Sequence, residues 1–230
     1  MLNTAFFNFF ILLLSFFLSS QLFAEEDRSD FDLDDDGLIE INDIDDFHNI
    51  HFNLDGKTLY KKSDGCPEKG CRGFELMTDI DFDSNQSGVF DKDDKYWTEA
   101  YGWVPFAARN KWYFTAELHG NGHLIKNLYI KLDENKNHGY SPLGLISKTK
   151  EGAYIHDLAI IGYIEGDRTT GLLIGNAEET RIERVAAFGK LIVDDRDVGM
   201  IVGELKGNSE LLNSFSSGYL KAGTRSGGLA

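Results

Sequence analysis

The chain has 230 residues, room for one or two domains, and its 42% hydrophobic content excludes disorder throughout. Twenty-four glycines against three prolines point to a turn-rich β protein rather than collagen-like or proline-rich material. A formal net charge of -15 argues against nucleic acid, whose phosphates need clustered Lys and Arg, and against docking on anionic lipid. The same acidity suits an extracellular protein that meets calcium.

Residues 1–24 carry no charge, and Ala5 to Leu18 is almost continuous Phe, Leu and Ile. Leu22-Phe23-Ala24 before Glu25-Glu26 reads as a signal peptide cut after Ala24, although the start lacks Lys and Arg and Leu22 is large for its place. The competing reading is a retained membrane anchor. Cleavage leaves no transmembrane segment and a secreted, periplasmic or cell-surface protein.

Residues 25–60 form an acidic segment. Asp32, Asp34, Asp36 and Gly37 occupy positions one, three, five and six of an EF-hand loop. Leu38 offers the backbone carbonyl at seven, Glu40 stands at nine and Asp43 at twelve. Alternating carboxylates wrap one hard cation, and Gly37 takes the sharp turn. The expected ion is calcium; the competing reading is a solvated acidic leader. Asp at position twelve departs from the usual bidentate Glu, and in this the loop resembles dockerin-type and other extracellular calcium loops. Ile44, Phe47, Ile50 and Leu54 then recur at helical spacing, predicting a short capping helix over 43–54. His48 and His51 on that helix read as ordinary cap histidines rather than a metal pair.

Residues 61–112 hold the two cysteines, Cys66 and Cys71, in a tight Gly-Cys-Pro-Glu-Lys-Gly-Cys loop. An exported chain makes these a disulfide, since no further zinc ligands have suitable spacing nearby. Phe74, Leu76, Ile80 and Phe82 predict an alternating strand disturbed at Met77-Thr78. Residues 84–96 read as a polar surface insertion, a second calcium site being the weaker reading. Trp97, Trp103 and Trp112, with Tyr96, Tyr101, Phe106, Tyr113 and Phe114, form an aromatic cluster. It reads as a hydrophobic plug, with an exposed carbohydrate-stacking row as the alternative.

Residues 113–230 repeat. Leu143-Gly144-Leu145-Ile146-Ser147, Gly171-Leu172-Leu173-Ile174-Gly175, Gly199-Met200-Ile201-Val202-Gly203 and Gly227-Gly228-Leu229-Ala230 begin 28 residues apart. A second set aligns Ile125, Asn127, Leu128 and Ile130 with Ile155, Leu158 and Ile160, with Ile182, Val185 and Ala187, and with Leu211, Ser214 and Ser216. The last three end on Gly162, Gly189 and Gly218. Each unit thus offers three short strands that bury their apolar face only by stacking on copies of themselves. The expected fold is all-β, a right-handed parallel β-helix. Its register places Asn127, Asp157, Arg184 and Asn213 one above another at a bend.

These repeats resemble the GLUG-motif repeats of bacterial secreted and surface proteins, including adhesin-like proteins and some peptidases with accessory repeats. The motif falls on Gly144-Leu145-Ile146-Ser147, Leu172-Leu173-Ile174-Gly175, Met200-Ile201-Val202-Gly203 and Gly228-Leu229-Ala230. The middle two lack its first Gly, and the first lacks its last. The resemblance implies a β-solenoid and no catalytic residues.

The expected role is therefore non-enzymatic: a secreted or surface-associated calcium-binding protein that adheres to an extracellular glycan or cell-surface ligand, or is structural. The alternative is a carbohydrate-active β-helix enzyme using Asp157, Glu183, Arg181 and Arg184. A peptidase lacks support, with neither His-Glu-x-x-His nor Gly-x-Ser-x-Gly, unless this is the N-terminal part of a larger one. The chain stops partway through a repeat, so truncation is expected, as is association through an open C-terminal strand edge.

Overall fold

The computed structural model describes residues 28–99, 101–109, 111–132 and 142–230. The chain divides into two units, Met1–Asp30 and Phe31–Ala230, and every named strand lies in the second. The expected signal peptide, 1–24, lies outside the described residues. No helix among the described residues is long and apolar enough to cross a membrane.

The protein is all-β with parallel sheets. Nine strands form the largest: β1 (Leu38–Ile41), β2 (Gly73–Leu76), β3 (Ile80–Asp81), β4 (Glu117–His119), β5 (Leu124–Lys131), β7 (Tyr154–Gly166), β9 (Arg181–Val193), β12 (Glu210–Leu212) and β13 (Phe215–Lys221). A three-stranded sheet joins β6 (Ile146–Thr149), β8 (Ile174–Glu178) and β11 (Val202–Lys206), and β10 (Arg196–Gly199) pairs with β14 (Thr224–Gly227). All these pairings between named strands are parallel.

Their register follows the repeat. Ile146 faces Ile174, which faces Val202, each 28 residues on. Around them Leu145, Leu172 and Ile201 donate their N–H groups to Leu172, Met200 and Leu229 in the next copy. In the large sheet Ile155, Ile182 and Leu211 are partners, as are Ile160, Ala187 and Ser216. The row continues backwards beyond the repeats, through Leu118 and Phe74 to Ile39. From Ile39 to Ile182 these side chains are fully buried, and burying one such side chain is worth about 1.5–3 kcal/mol. Stacking like on like therefore builds one continuous core.

Two details differ from what the sequence predicts. The second and third expected strands of a repeat, Ile155 to Ile160 and Tyr163-Ile164 in one copy, fuse into a single bent strand, seen in the 13-residue β7 and β9. The bend comes from one residue with positive φ, Asp157 (55°) in β7 and Arg184 (52°) in β9, while in the last repeat Asn213 (49°) separates β12 from β13. Second, Ile125 faces Ile160 rather than Ile155, whose partner is Leu118. Asn127 accordingly leaves the expected ladder and donates from Nδ2 to Asp81 Oδ1 at 2.7 Å. Asn121 (φ 52°) takes the turn beside Asp157, where Gly122 N–H donates to the Asp157 carbonyl at 2.7 Å. The two runs of a repeat carry similar apolar patterns, so the pattern alone does not say which run faces which.

The helix is shorter than expected. α1 (Ile44–Asn49) passes into a 3₁₀ turn, Ile50–Phe52. Its Phe47 and Ile50 are buried, and Phe47 meets Phe82, Trp103 and Phe106 at centroid distances of 6.3, 6.2 and 5.2 Å. Trp103, Phe106 and Phe114 are buried, as a plug requires, whereas Trp112 and Tyr113 stay exposed with Arg109 over one ring and Lys148 over the other. Phe106 and Phe114 also bridge to Ile146 and Thr149, extending the edge of β6. His51 lies against Trp103 and Phe106, and burial holds its pKa down at about 3, so it is a neutral cap residue. The 84–96 segment is ordered by two buried carboxylates: Asp83 accepts from Ser87 and Gly88 N–H, and Asp94 from Asn85 and Asp91 N–H.

Successive repeats approach closely along the glycine column Gly162, Gly189 and Gly218. A Cβ on Gly189, at φ 154°, would overlap the Gly162 carbonyl oxygen, and one on Gly218 would overlap that of Gly189. Gly189→Val is expected to cost ~3 kcal/mol or more by forcing neighbouring repeats apart. Gly228→Ala, whose added Cβ meets nothing within 4 Å, is expected to stay within about 0.5 kcal/mol. Urea unfolding of both variants checks this.

Candidate metal centre

The acidic loop folds by satisfying its own backbone. Gly37 N–H donates to both Asp32 carboxylate oxygens, at 3.0 and 3.2 Å. Asp36 N–H donates to Asp34 Oδ1 at 3.2 Å, and Leu38 N–H to Asp36 Oδ1 at 2.8 Å. Asp35 and Gly37 supply the positive φ angles (60° and 86°) that curl the chain. Asp32, Asp34 and Asp36 consequently bring carboxylate oxygens within 4.8 Å of one another. Leu38 opens β1, and Glu40 Oε1 turns back to accept Leu33 N–H at 2.6 Å.

A second group shares this volume: Asp34, Glu40 and Glu75, again within 4.8 Å of one another. Glu75 is not among the ligands that the loop spacing predicts. It comes from β2, where it is the direct parallel partner of Glu40 in β1. Glu40 and Glu75 are 2% and 5% exposed, so two carboxylates lie side by side out of water. Burial, followed by repulsion from Asp36, Asp34, Glu40 and Asp32, pushes the Glu75 carboxyl up to about 7. Burial also raises Asp32. The expected twelfth-position ligand, Asp43, is used elsewhere: it is the N-cap of α1, its Oδ1 accepting from Asp45 and Asp46 N–H at 2.9 Å each. Position twelve starts a helix here, so its carboxylate is drawn to the free N–H groups of the first turn.

The flank of the loop is held by the disulfide expected between Cys66 and Cys71, with Cα atoms 5.1 Å apart. Cys71 Sγ touches Asp32 Oδ2 at 3.7 Å, and Arg72 N–H donates to the Gly37 carbonyl at 3.0 Å. The Arg72 guanidinium reaches the Asp36 carbonyl and, at 2.9 Å, Glu117.

The four residues considered for catalysis do come together. Arg184 binds Asp157 through Nε and Nη2 (2.6 and 2.7 Å) and reaches Glu183 through Nη1 (2.5 Å). Arg181 and the Tyr154 hydroxyl also donate to Glu183. The Asp157–Arg184 pair was expected from the repeat; half-exposed as it is, it is worth about 0.2–1 kcal/mol. Beside it His119 and His156 stack at 4.4 Å above a shallow groove of ≈ 430 Å³ lined by His119, Asn121, Asp157 and Arg184 among others. His119, His156 and Asp157 have ligand spacing. Yet both His156 nitrogens already face carboxylates, Asp157 at 2.6 Å and Glu117 at 3.1 Å, and both Asp157 oxygens hold Arg184. This is a satisfied ion network.

No family model matches the chain, and no solved structure matches it. It is similar to halomucin of Haloquadratum walsbyi, 32% identical over 114 residues, which is 49% of this chain and 1% of halomucin. It is also similar to the zinc metalloprotease ZmpC of Streptococcus pneumoniae, 32% identical over 101 residues, 40% of this chain and 5% of that protein. The chain thus spans a small fraction of either relative.

The two stacked histidines are expected to titrate in opposite directions. Burial lowers the His156 pKa, but its hydrogen bonds to Glu117 and Asp157 outweigh this and leave it above 6.5; burial and His156 itself depress His119. The stability His156 contributes is full below its unfolded pKa and is lost as pH rises through the folded value. Resonances of His156 and His119 on either side of 6.5 in an NMR titration, with Glu117→Gln bringing His156 down, check this. For the disulfide, the Cys66→Ala/Cys71→Ala double variant is expected to lose about 2 kcal/mol, the loop-closure value for so short a ring, in thermal unfolding.

Proposed function

We propose that the chain is a secreted or surface-associated β-solenoid module, a right-handed parallel β-helix of GLUG-type repeats, with calcium in the Asp32–Asp36 loop and a non-enzymatic adhesive or structural role. The observation that carries the reading is the in-register parallel pairing of successive repeats, Ile146 on Ile174 on Val202 and Ile155 on Ile182 on Leu211. Each repeat then acts as one turn of the solenoid, presenting outward rows of polar side chains over several turns. An oxidising, calcium-rich setting outside the cytoplasm suits the Cys66–Cys71 disulfide, the acidic loop and the -15 net charge. The ligand class this surface fits is an extracellular glycan or cell-surface group rather than a nucleic acid.

The carbohydrate-active alternative is weaker. Asp157, Glu183, Arg181 and Arg184 neutralise one another, and neither carboxylate is raised toward a general acid's pKa: the hydrogen bonds of Arg184 and Arg181 hold both below the ordinary range. A third reading places the module in a larger protein such as a peptidase, and the similarity to 5% of a zinc metalloprotease is what favours it.

Binding of the chain to a panel of cells and extracellular polysaccharides, with and without chelator, tests the adhesive role. Retention on at least one surface, reduced by chelation, is expected; no retention on any surface overturns it. Release of reducing or unsaturated sugars from uronate polymers, abolished by Glu183→Gln, would establish the enzymatic alternative instead.

A further inference from the structure

The outward faces of β1 and β2 pose a physical problem. In a parallel pair the partner side chains stand side by side, and like charges directly opposite destabilise the sheet. Glu40 and Glu75 are such partners, and both are buried. Glu75 Oε1 is enclosed and has no hydrogen-bond partner, although it lies within 4.8 Å of Asp34 and Glu40 oxygens. A buried carboxylate oxygen without a donor carries its full desolvation cost. The nearby guanidinium of Arg72 is turned to the Asp36 carbonyl and Glu117. What Glu75 Oε1 lacks, among the described residues, is a hydrogen-bond partner at the point where Asp34, Glu40 and Glu75 converge.

We propose that Glu75 is a ligand of the loop's calcium ion, so that the ion is held jointly by the Asp32–Asp36 loop and by the neighbouring strand, and staples β1 to β2. This rests on the calcium reading of the loop and adds to it a ligand that comes from 35 residues beyond Glu40, across the sheet. Glu75 takes over the work a twelfth-position Glu does in a self-contained loop, which Asp43 does not do because it caps α1. An all-oxygen set of Asp32, Asp34, Asp36, Glu40 and Glu75 suits a hard cation and not zinc or copper. Calcium fits better than magnesium, because carboxylates from two strands make a large, adaptable cage and leave little room for the waters magnesium keeps. The ion then has a structural consequence that a loop-only site lacks. It offsets the repulsion between the first two strands of the sheet, so pairing of β1 with β2 is coupled to calcium.

The experiment is calorimetric titration of the full chain with calcium alone, paired with thermal unfolding in calcium and in EDTA, for the wild type, Asp34→Asn and Glu75→Gln. Asp34→Asn is expected to lose binding. Glu75→Gln is expected to bind at least ~10-fold more weakly, the least that loss of a direct ligand should cost. It should also reverse order with the wild type: less stable in calcium, but ~2–4 °C more stable in EDTA, where the buried charge is only a burden. Glu75→Asp keeps the charge and withdraws the oxygen; it should weaken binding without the gain in EDTA, and it decides the matter if the Gln variant does not fold. Wild-type affinity in both Glu75 variants, with binding lost in Asp34→Asn, overturns the shared-ligand proposal and leaves the loop site standing. No calcium binding by the wild type removes both.

Discussion

Everything in this protein depends on parallel, in-register stacking of successive strands. That constraint acts on both faces of the sheet at once. Inside, it sets Ile39, Phe74, Leu118, Ile155 and Ile182 in one row, so that a short apolar strand that could bury little alone becomes one layer of a continuous core. Between repeats it brings Gly162, Gly189 and Gly218 so close that no side chain fits. Outside, it sets Glu40, Glu75, His119, His156 and Glu183 in a second row, with no freedom to separate like from like.

The surface chemistry follows from that lack of freedom. Where the row would place bare charges together, the chain supplies an opposite charge from the next repeat or from beside the row. Arg184 covers Asp157 and Glu183, Arg225 covers Asp197 at a 28-residue step, and Glu117 and Asp157 bracket the His156 ring. The pairs are individually weak at such exposure, and their value lies in fixing one register among several the apolar pattern would accept. The beginning of the sheet differs, because the Glu75 carboxyl meets Glu40 with further acid from Asp32, Asp34 and Asp36 around it. The acidic loop and the first two strands are therefore one electrostatic unit. The buried aromatic plug, the short helix and the disulfide hold that end in place from the other sides.

Much of this was legible in the residues. The 28-residue step, the glycines closing each set, the stacking of Asp157 on Arg184, the Cys66–Cys71 bridge and the interruption at Met77-Thr78 all appear where local chemistry demands them. Less was legible where the evidence is a pattern shared by two segments. Ile39-Glu40-Ile41 and Phe74-Glu75-Leu76 are the same apolar–Glu–apolar triplet, and reading them as successive layers would have exposed Glu75. The 35-residue spacing between β1 and β2 falls outside the 28-residue period, which hides that kinship.

By itself, then, the sequence determined the period, the all-β character and the composition of the acidic loop, because turn residues, alternation and carboxylate spacing act within a few residues of one another. Tertiary structure alone decided which strand faces which in the irregular first layers, that Asp43 caps a helix, and that Glu75 stands against Glu40. Those outcomes turn on contacts between segments tens of residues apart, where the energy of a whole stacked core, and not any local preference, selects the register.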